Sequence, residues 1–173
     1  ELMMATWTPG SYLVREYARQ LEGLVVTGPD GALPVRKTRK NRWTVQTGGV
    51  GAIRVGYDLY CHELNVRGNW VQADWAMING APTYLVPVDA LGAAYDVTVE
   101  LPEAWPRIAT ALSPHPDGAA HHYVAEDYDT LVDSPMLLGE TVVHSFVAGG
   151  KPHELAHLGQ TEWWDDPQIA LDV

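Results

Sequence analysis

One cysteine, Cys61, in 173 residues excludes an internal disulfide, so the fold must be held by its core rather than by cross-links. A lone thiol inside Val55–Leu64 reads as a core group rather than a nucleophile, and its solitude is compatible with a cytoplasmic setting. Basic residues are also scarce: 11 Lys and Arg face 22 Asp and Glu, a net charge of −11. That balance argues against nucleic acid as a partner, because phosphate binding needs a basic surface. No apolar run is long enough to span a bilayer, and no membrane partner is expected. No signal-peptide pattern is present. Phenylalanine is nearly absent, with one residue, and no sustained helical period occurs anywhere in the chain.

What the chain has instead is 16 glycines, 12 prolines, seven tryptophans and eight tyrosines. Frequent turn residues among aromatic and β-branched runs favour an all-β fold, an antiparallel β-sandwich with short irregular or single-turn helical connections. The whole chain, 1–173, is expected to be a single β-sandwich domain that begins inside its first strand. Leu2–Ala5, Leu21–Thr27, Leu33–Thr38, Trp43–Thr47 and Ala52–Tyr60 read as strands. Gly28-Pro29-Asp30-Gly31 predicts a hairpin between the second and third of these. The middle section, Val66 to Pro87, is less regular. Tyr95–Leu101, Arg107–Leu112 and His122–Ala125 read as further strands, and Asp127–Val132 as one helical turn. Arg36, Lys37, Arg39, Lys40 and Arg42 hold five of the eleven basic residues. They form a charged hairpin, either solvated or a docking patch for an acidic partner.

His153-Glu154-Leu155-Ala156-His157 spells H-E-x-x-H, which on a helix holds zinc between two histidines with the glutamate as general base. The surrounding residues oppose a helix. Thr141–Val147 is β-rich, Gly149-Gly150-Lys151-Pro152 reads as a turn, and Gly159 follows closely. In a strand, four residues separate the two histidines by about 13 Å, too far to share a metal with bonds of about 2 Å. His153, Glu154 and His157 are therefore read as a decoy, and no metal is expected in this chain. A third reading, a minimal zinc peptidase, requires a helix at His153–His157. His121 and His122 are adjacent, point to opposite faces of a strand and cannot chelate one ion together.

Trp7-Thr8-Pro9-Gly10-Ser11-Tyr12-Leu13-Val14-Arg15 resembles the glycyl aminopeptidase family of zinc metallopeptidases, specifically their N-terminal β-domain. The W-x-P-G-S-Y-x-x-R pattern carries the likeness. Weaker matches follow at Val66-Arg67, Asn79-Gly80, Asp127–Pro135, Gly139 and Pro152-His153, from about Leu2 to Gly159. Gly68 to Met77 matches least. The resemblance implies a three-part parent protein: this domain, a thermolysin-like catalytic domain beginning at or after Val173, and a PDZ-like domain. It places zinc in the second part, so no catalytic residue and no cofactor is expected here.

The resemblance also makes the parent's own catalytic domain and a peptide substrate the expected partners. Hydrolysis after glycine or another small N-terminal residue is implied by it alone. The expected role is to support the catalytic domain and wall one side of its cleft.

Trp7, Ser11, Tyr12 and Arg15 are the first candidates for a substrate-cleft or interdomain surface, because Pro9 and Gly10 fix the turn that presents them and Arg15 suits a carboxylate. The competing reading is a structural corner: Trp7 in the core, Tyr12 bonded to backbone, Arg15 in an internal ion pair. Asp133 either accepts backbone N–H bonds in a turn with Ser134 and Pro135 or faces the cleft. Ser11 lacks the G-x-S-x-G setting of a serine hydrolase. Glu162-Trp163-Trp164-Asp165-Asp166 either packs against the next domain or forms an exposed platform. The alternative function is a stand-alone carbohydrate- or peptide-binding module, which exposed, coplanar tryptophans would favour.

Overall fold

The computed structural model describes residues 1–8, 10–158 and 168–169. Every strand pair among them is antiparallel, so the protein is all-β as its composition predicts. The described strands fall into five small sheets rather than two large ones. No helix among the described residues is long and apolar enough to cross a membrane.

The first strand, Leu2–Met4, lies between Arg42–Val45 and Leu85–Pro87, with Val35–Arg39 at the edge. Its short apolar run is explained by burial on both faces. Leu2 and Met4 enter one core with Ala5, Tyr17, Val26 and Trp43, while Met3 packs against a second core. Leu85–Pro87 repeats the alternation, with Leu85 against the first core and Val86 in the second. These two strands are thus a wall between cores. Arg54–Leu59 and Leu21–Gly28 cover the first core from outside, and Val55 opposite Val26 continues its apolar face.

The second core holds Trp105, Tyr128, Leu131, Met136 and Leu138. Its sheet orders Arg107–Thr110, Met136–Gly139, Trp75–Ile78 and Trp70–Val71. The Trp75–Ile78 and Met136–Gly139 strands were not expected, because both are apolar runs of only four residues without alternation. One helix, Tyr128–Val132, closes this core with Tyr128 and Leu131 buried.

The Gly28–Gly31 hairpin forms, but the returning strand is cut to Gly31–Ala32. Pro34 follows, and the chain switches sheets to enter Val35–Arg39, which pairs with Arg42–Val45 instead. Proline has no N–H to continue the first ladder. Thr141–Ala148 and Lys151–Leu158 form a complete eight-pair hairpin across Gly149 and Gly150, both at positive φ as a tight two-residue turn requires.

Candidate functional site

The Leu2–Met4 strand runs out of the inter-core wall into a loop whose ends are tied together. The Arg15 N–H donates to Thr6 O at 2.7 Å, and the Ser11 N–H donates to Thr8 O at 3.1 Å. The Trp7 indole N–H donates to Ser11 O, so its ring clamps the loop from one side. Gly10 sits at φ +75°, a conformation that suits glycine. Ser11 is buried, and its Oγ lies 3.5 Å from Arg15 Nη2. The next three side chains have nowhere to go but outward. Tyr12 is fully exposed, Leu13 is 62% and Val14 80% exposed, and Trp7 is 53% exposed.

This arrangement departs from the structural-corner reading at each point. Trp7 lies outside both cores, and Tyr12 makes no hydrogen bond among the described residues. Arg15 has no ion pair there, and its Nε is buried without a hydrogen-bond partner. Pro9 lies outside the described residues, as does the Glu162–Asp166 segment.

Two hollows open beside the loop, and Thr6 lines both. The first, about 620 Å³, has Ala5, Thr6 and Trp7 on one wall and Asp129, Val132 and Asp133 on the other. Val132 packs on both cores, so this hollow lies over their seam. The structure thereby brings Asp133 to the same hollow as Trp7, 126 residues away in sequence. Asp133 is exposed and its carboxylate accepts no backbone N–H among the described residues. The capping carboxylate of this helix is Asp127, which accepts from the Thr130 N–H at 2.8 Å, while Ser134 Oγ donates to Thr130 O at 2.8 Å.

That N–H bond holds the Asp127 carboxyl below its ordinary value. A depressed carboxyl contributes stability above its unfolded pKa and loses it as pH falls through the folded one. Asp127→Ala is therefore expected to lower the melting temperature at neutral pH. Its deficit relative to wild type should shrink below pH 4 and vanish once the wild-type carboxyl is protonated. Thermal melts from pH 7 to pH 2 check this; a pH-independent gap would mean the cap does not act through its charge.

The second hollow, about 540 Å³, lies between Val14–Arg19 and the hairpin turn at Lys37–Asn41. Five cations line it in an acidic protein: Arg15, Arg19, Lys37, Arg39 and Lys40. Lys40 pairs with Glu16, Arg19 pairs with Glu63, and Lys37 Nζ sits 4.9 Å over the Trp43 ring. Arg15 and Arg39 have no carboxylate partner among the described residues, and they leave the hollow suited to an anion. The charged hairpin was legible in the sequence, but its approach to Arg15 was not.

The H-E-x-x-H residues lie in the Lys151–Leu158 strand. His153 pairs with Phe146 across the hairpin and stacks on it, and the His157 ring lies parallel to that of His144 at 6.2 Å. Strand spacing puts His153 and His157 about 13 Å apart, so this set does not fit a catalytic zinc. Among the other aromatics, Trp43 and Trp105 are buried, and Trp70 stacks on His62 at 4.2 Å. No two tryptophan rings stack together among the described residues. The Cys61 thiol is partly buried, and that burial pushes its pKa up, away from a nucleophile's.

No curated protein matches the sequence. The crystal structure of an aminopeptidase N family protein from Idiomarina loihiensis is similar, with a TM-score of 0.88 and 28% sequence identity. The likeness covers 99% of this chain and 30% of that one, so the present chain spans less than a third of its neighbour. Residues 1–140 match the Peptidase M61 N-terminal domain. With four-fifths of its length matched, the chain belongs to the Peptidase M61 N-terminal domain family, as a peptidase-associated β-domain.

Proposed function

We propose that this domain is a non-catalytic part of a zinc-dependent aminopeptidase, docking on the catalytic domain through the Trp7–Val14 loop and forming one wall of its peptide cleft. The observation that carries this reading is the loop itself. Tyr12, Leu13 and Val14 project into solvent from a tightly bonded frame, beside two hollows. Monomeric proteins rarely present such a run without a partner. The catalytic domain is the occupant this reading assigns, and membership of a peptidase N-terminal domain family supports it. The zinc and its ligands belong to that domain in this reading, since His153, Glu154 and His157 do not form a set that fits the ion.

Arg15 is the residue this reading assigns to a carboxylate, on the substrate or on the neighbouring domain. In the full-length peptidase, Arg15→Ala is expected to raise KM for a small-residue peptide roughly tenfold with kcat little changed, the size of one lost charged hydrogen bond. Steady-state kinetics decide it: unchanged KM and kcat remove Arg15 from the cleft. Replacing Tyr12, Leu13 and Val14 together by serine tests the docking. The two domains should then unfold in separate calorimetric transitions, and a single unshifted transition would refute the loop as the contact.

A further inference from the structure

Away from the Trp7 loop, two imidazoles and two carboxylates meet on the sheet formed by Tyr95–Thr98, His122–Ala125 and Ser113–Pro114. Register explains the meeting. Thr98 pairs with His122 and Asp96 with Val124, so Asp96 and His122 stand diagonally on one face. On the other side, Pro114 pairs with Tyr123, and the His115 N–H donates to His122 O at 2.8 Å. This sets His115 directly beside His122. Their rings stack with centroids 3.9 Å apart and planes at 20°. His121, the sequence neighbour of His122, sits at φ +54° in the preceding turn and takes no part.

Asp117, in the turn between these strands, holds both rings from behind. Its Oδ1 lies 3.0 Å from His115 Nδ1 and its Oδ2 2.7 Å from His122 Nδ1. The carboxylate is itself anchored, accepting from the Ala119 N–H at 2.9 Å. Lying against both Nδ1 atoms, this carboxylate can accept a ring proton from each imidazole. With the proton of each ring on Nδ1, each Nε2 keeps its lone pair, which is the form in which histidine binds metals. The Asp117 N–H also lies 3.2 Å from His115 Nδ1 and asks for the opposite tautomer. The contact to the carboxylate is shorter and charge-assisted, and it prevails.

Asp96 completes the set. Its Oδ1 is 3.7 Å from His115 Nε2, and one ligand atom each from Asp96, His115 and His122 lies within 4.8 Å of the others. A separation of 3.7 Å is too long for a hydrogen bond. It does match two metal–ligand bonds of about 2 Å meeting at an open angle.

We propose that Asp96, His115 and His122 bind a divalent transition-metal ion of the zinc class, with Asp117 orienting both imidazoles and water filling the remaining coordination. Two imidazoles and one carboxylate suit zinc, cobalt, nickel or copper, whereas magnesium and calcium favour all-oxygen sets. The three ligand atoms already lie within 4.8 Å of one another, so a small turn of the stacked rings closes the set. Rotation about the soft second side-chain torsion provides this, and the Asp96 side chain is two-thirds exposed and free to follow. The ion joins residues contributed by three segments of one small sheet, so it stabilises the folded state. The site is separate from the His153–His157 strand and from both hollows, and it does not depend on the docking role of the Trp7 loop.

The test is cobalt and zinc titration of the metal-stripped protein, by calorimetry and by the visible absorption of Co²⁺, compared across variants. Wild type is expected to bind one ion more than His115→Ala/His122→Ala, so any metal held elsewhere cancels. Asp96→Asn changes only an exposed side chain, which keeps the test valid where the double-histidine variant fails to fold. It should weaken binding at least tenfold, and Asp117→Asn should weaken it roughly 10- to 100-fold, the usual effect of removing a carboxylate that orients a metal-binding histidine. Zinc should also raise the melting temperature of wild type by more than that of Asp96→Asn at the same zinc concentration. Equal binding by wild type and Asp96→Asn, or no binding by wild type, would overturn the proposal. Competition by equimolar Ca²⁺ or Mg²⁺ would overturn the assigned metal class.

Discussion

Gly80→Ala is expected to destabilise the protein by about 3 kcal/mol, the upper end of the usual cost of overpacking. A Cβ on Gly80 would stand 2.5 Å from Val132 Cα, 2.6 Å from Leu131 O and 2.8 Å from Val132 O. All three are backbone atoms, so no rotamer change relieves the clash. Either the Tyr128–Val132 helix lifts from the turn after Trp75–Ile78, or the turn distorts. The turn is also held in place, since Gly80 O accepts from Thr83 N–H at 2.9 Å and Asn79 N–H donates to Asn69 Oδ1 at 2.7 Å. For a domain of this size the loss corresponds to a drop of roughly 6–12 °C in melting temperature. Because the helix forms one wall of the Trp7 hollow, Asp129 and Asp133 would move with it. A melting temperature within two degrees of wild type would show that the helix and turn are not in firm contact.

Met4→Ala is expected to cost about 3–4 kcal/mol, within the range for large-to-small changes in a core. Met4 is completely buried, in the central strand between Arg42–Val45 and Leu85–Pro87. Its backbone is pinned by Asn41, with its N–H bonded to Asn41 O at 3.0 Å and its carbonyl accepting from Asn41 Nδ2 at 2.8 Å. The strand cannot shift to fill the space, so the cavity persists. Met4→Leu conserves volume and should cost less than about 1.5 kcal/mol. Denaturant unfolding separates these outcomes: equal losses for the two variants would mean the site is not a packed core. The change lies only three residues from Trp7, so a loosened Met4 should also raise exchange at the Arg15 amide, whose bond to Thr6 O closes the loop.

The sequence carried the fold class because its signals are local. Gly149-Gly150 between two β-rich runs can only make a tight hairpin, and the complete pairing of Thr141–Ala148 with Lys151–Leu158 follows. The same signal made a strand of His153–His157, where the H-E-x-x-H spelling invites a helix. The His122–Ala125 strand has the bounds its sequence predicts, and the single turn expected over Asp127–Val132 is the helix Tyr128–Val132. Short apolar segments were less legible. Met136–Gly139 and Trp75–Ile78 sit with little exposure inside a sheet and show no alternation to read. The backbone N–H bond expected at the Asp133 turn is absent among the described residues, and the carboxylate that accepts one is Asp127, because the helix starts directly after it.

The Trp7–Arg15 loop was legible as a motif, whereas its surroundings were not. Nothing in sequence spacing relates Trp7 to Asp133 or Arg15 to Lys37–Asn41; both meetings arise because Leu2–Met4 is the wall between two cores. The His115–His122 pair shows the same limit. The sequence presents His121 and His122 as the conspicuous neighbours, yet cross-strand register sets His122 beside His115 and diagonal to Asp96. By itself, then, the sequence determined the antiparallel all-β class, the hairpin turns, the strand at the H-E-x-x-H segment and the family to which the chain belongs. Only the tertiary structure decided which side chains share a hollow or a sheet face. Turns and alternation are properties of a few neighbouring residues, while hollows and cross-strand clusters depend on how distant segments pair.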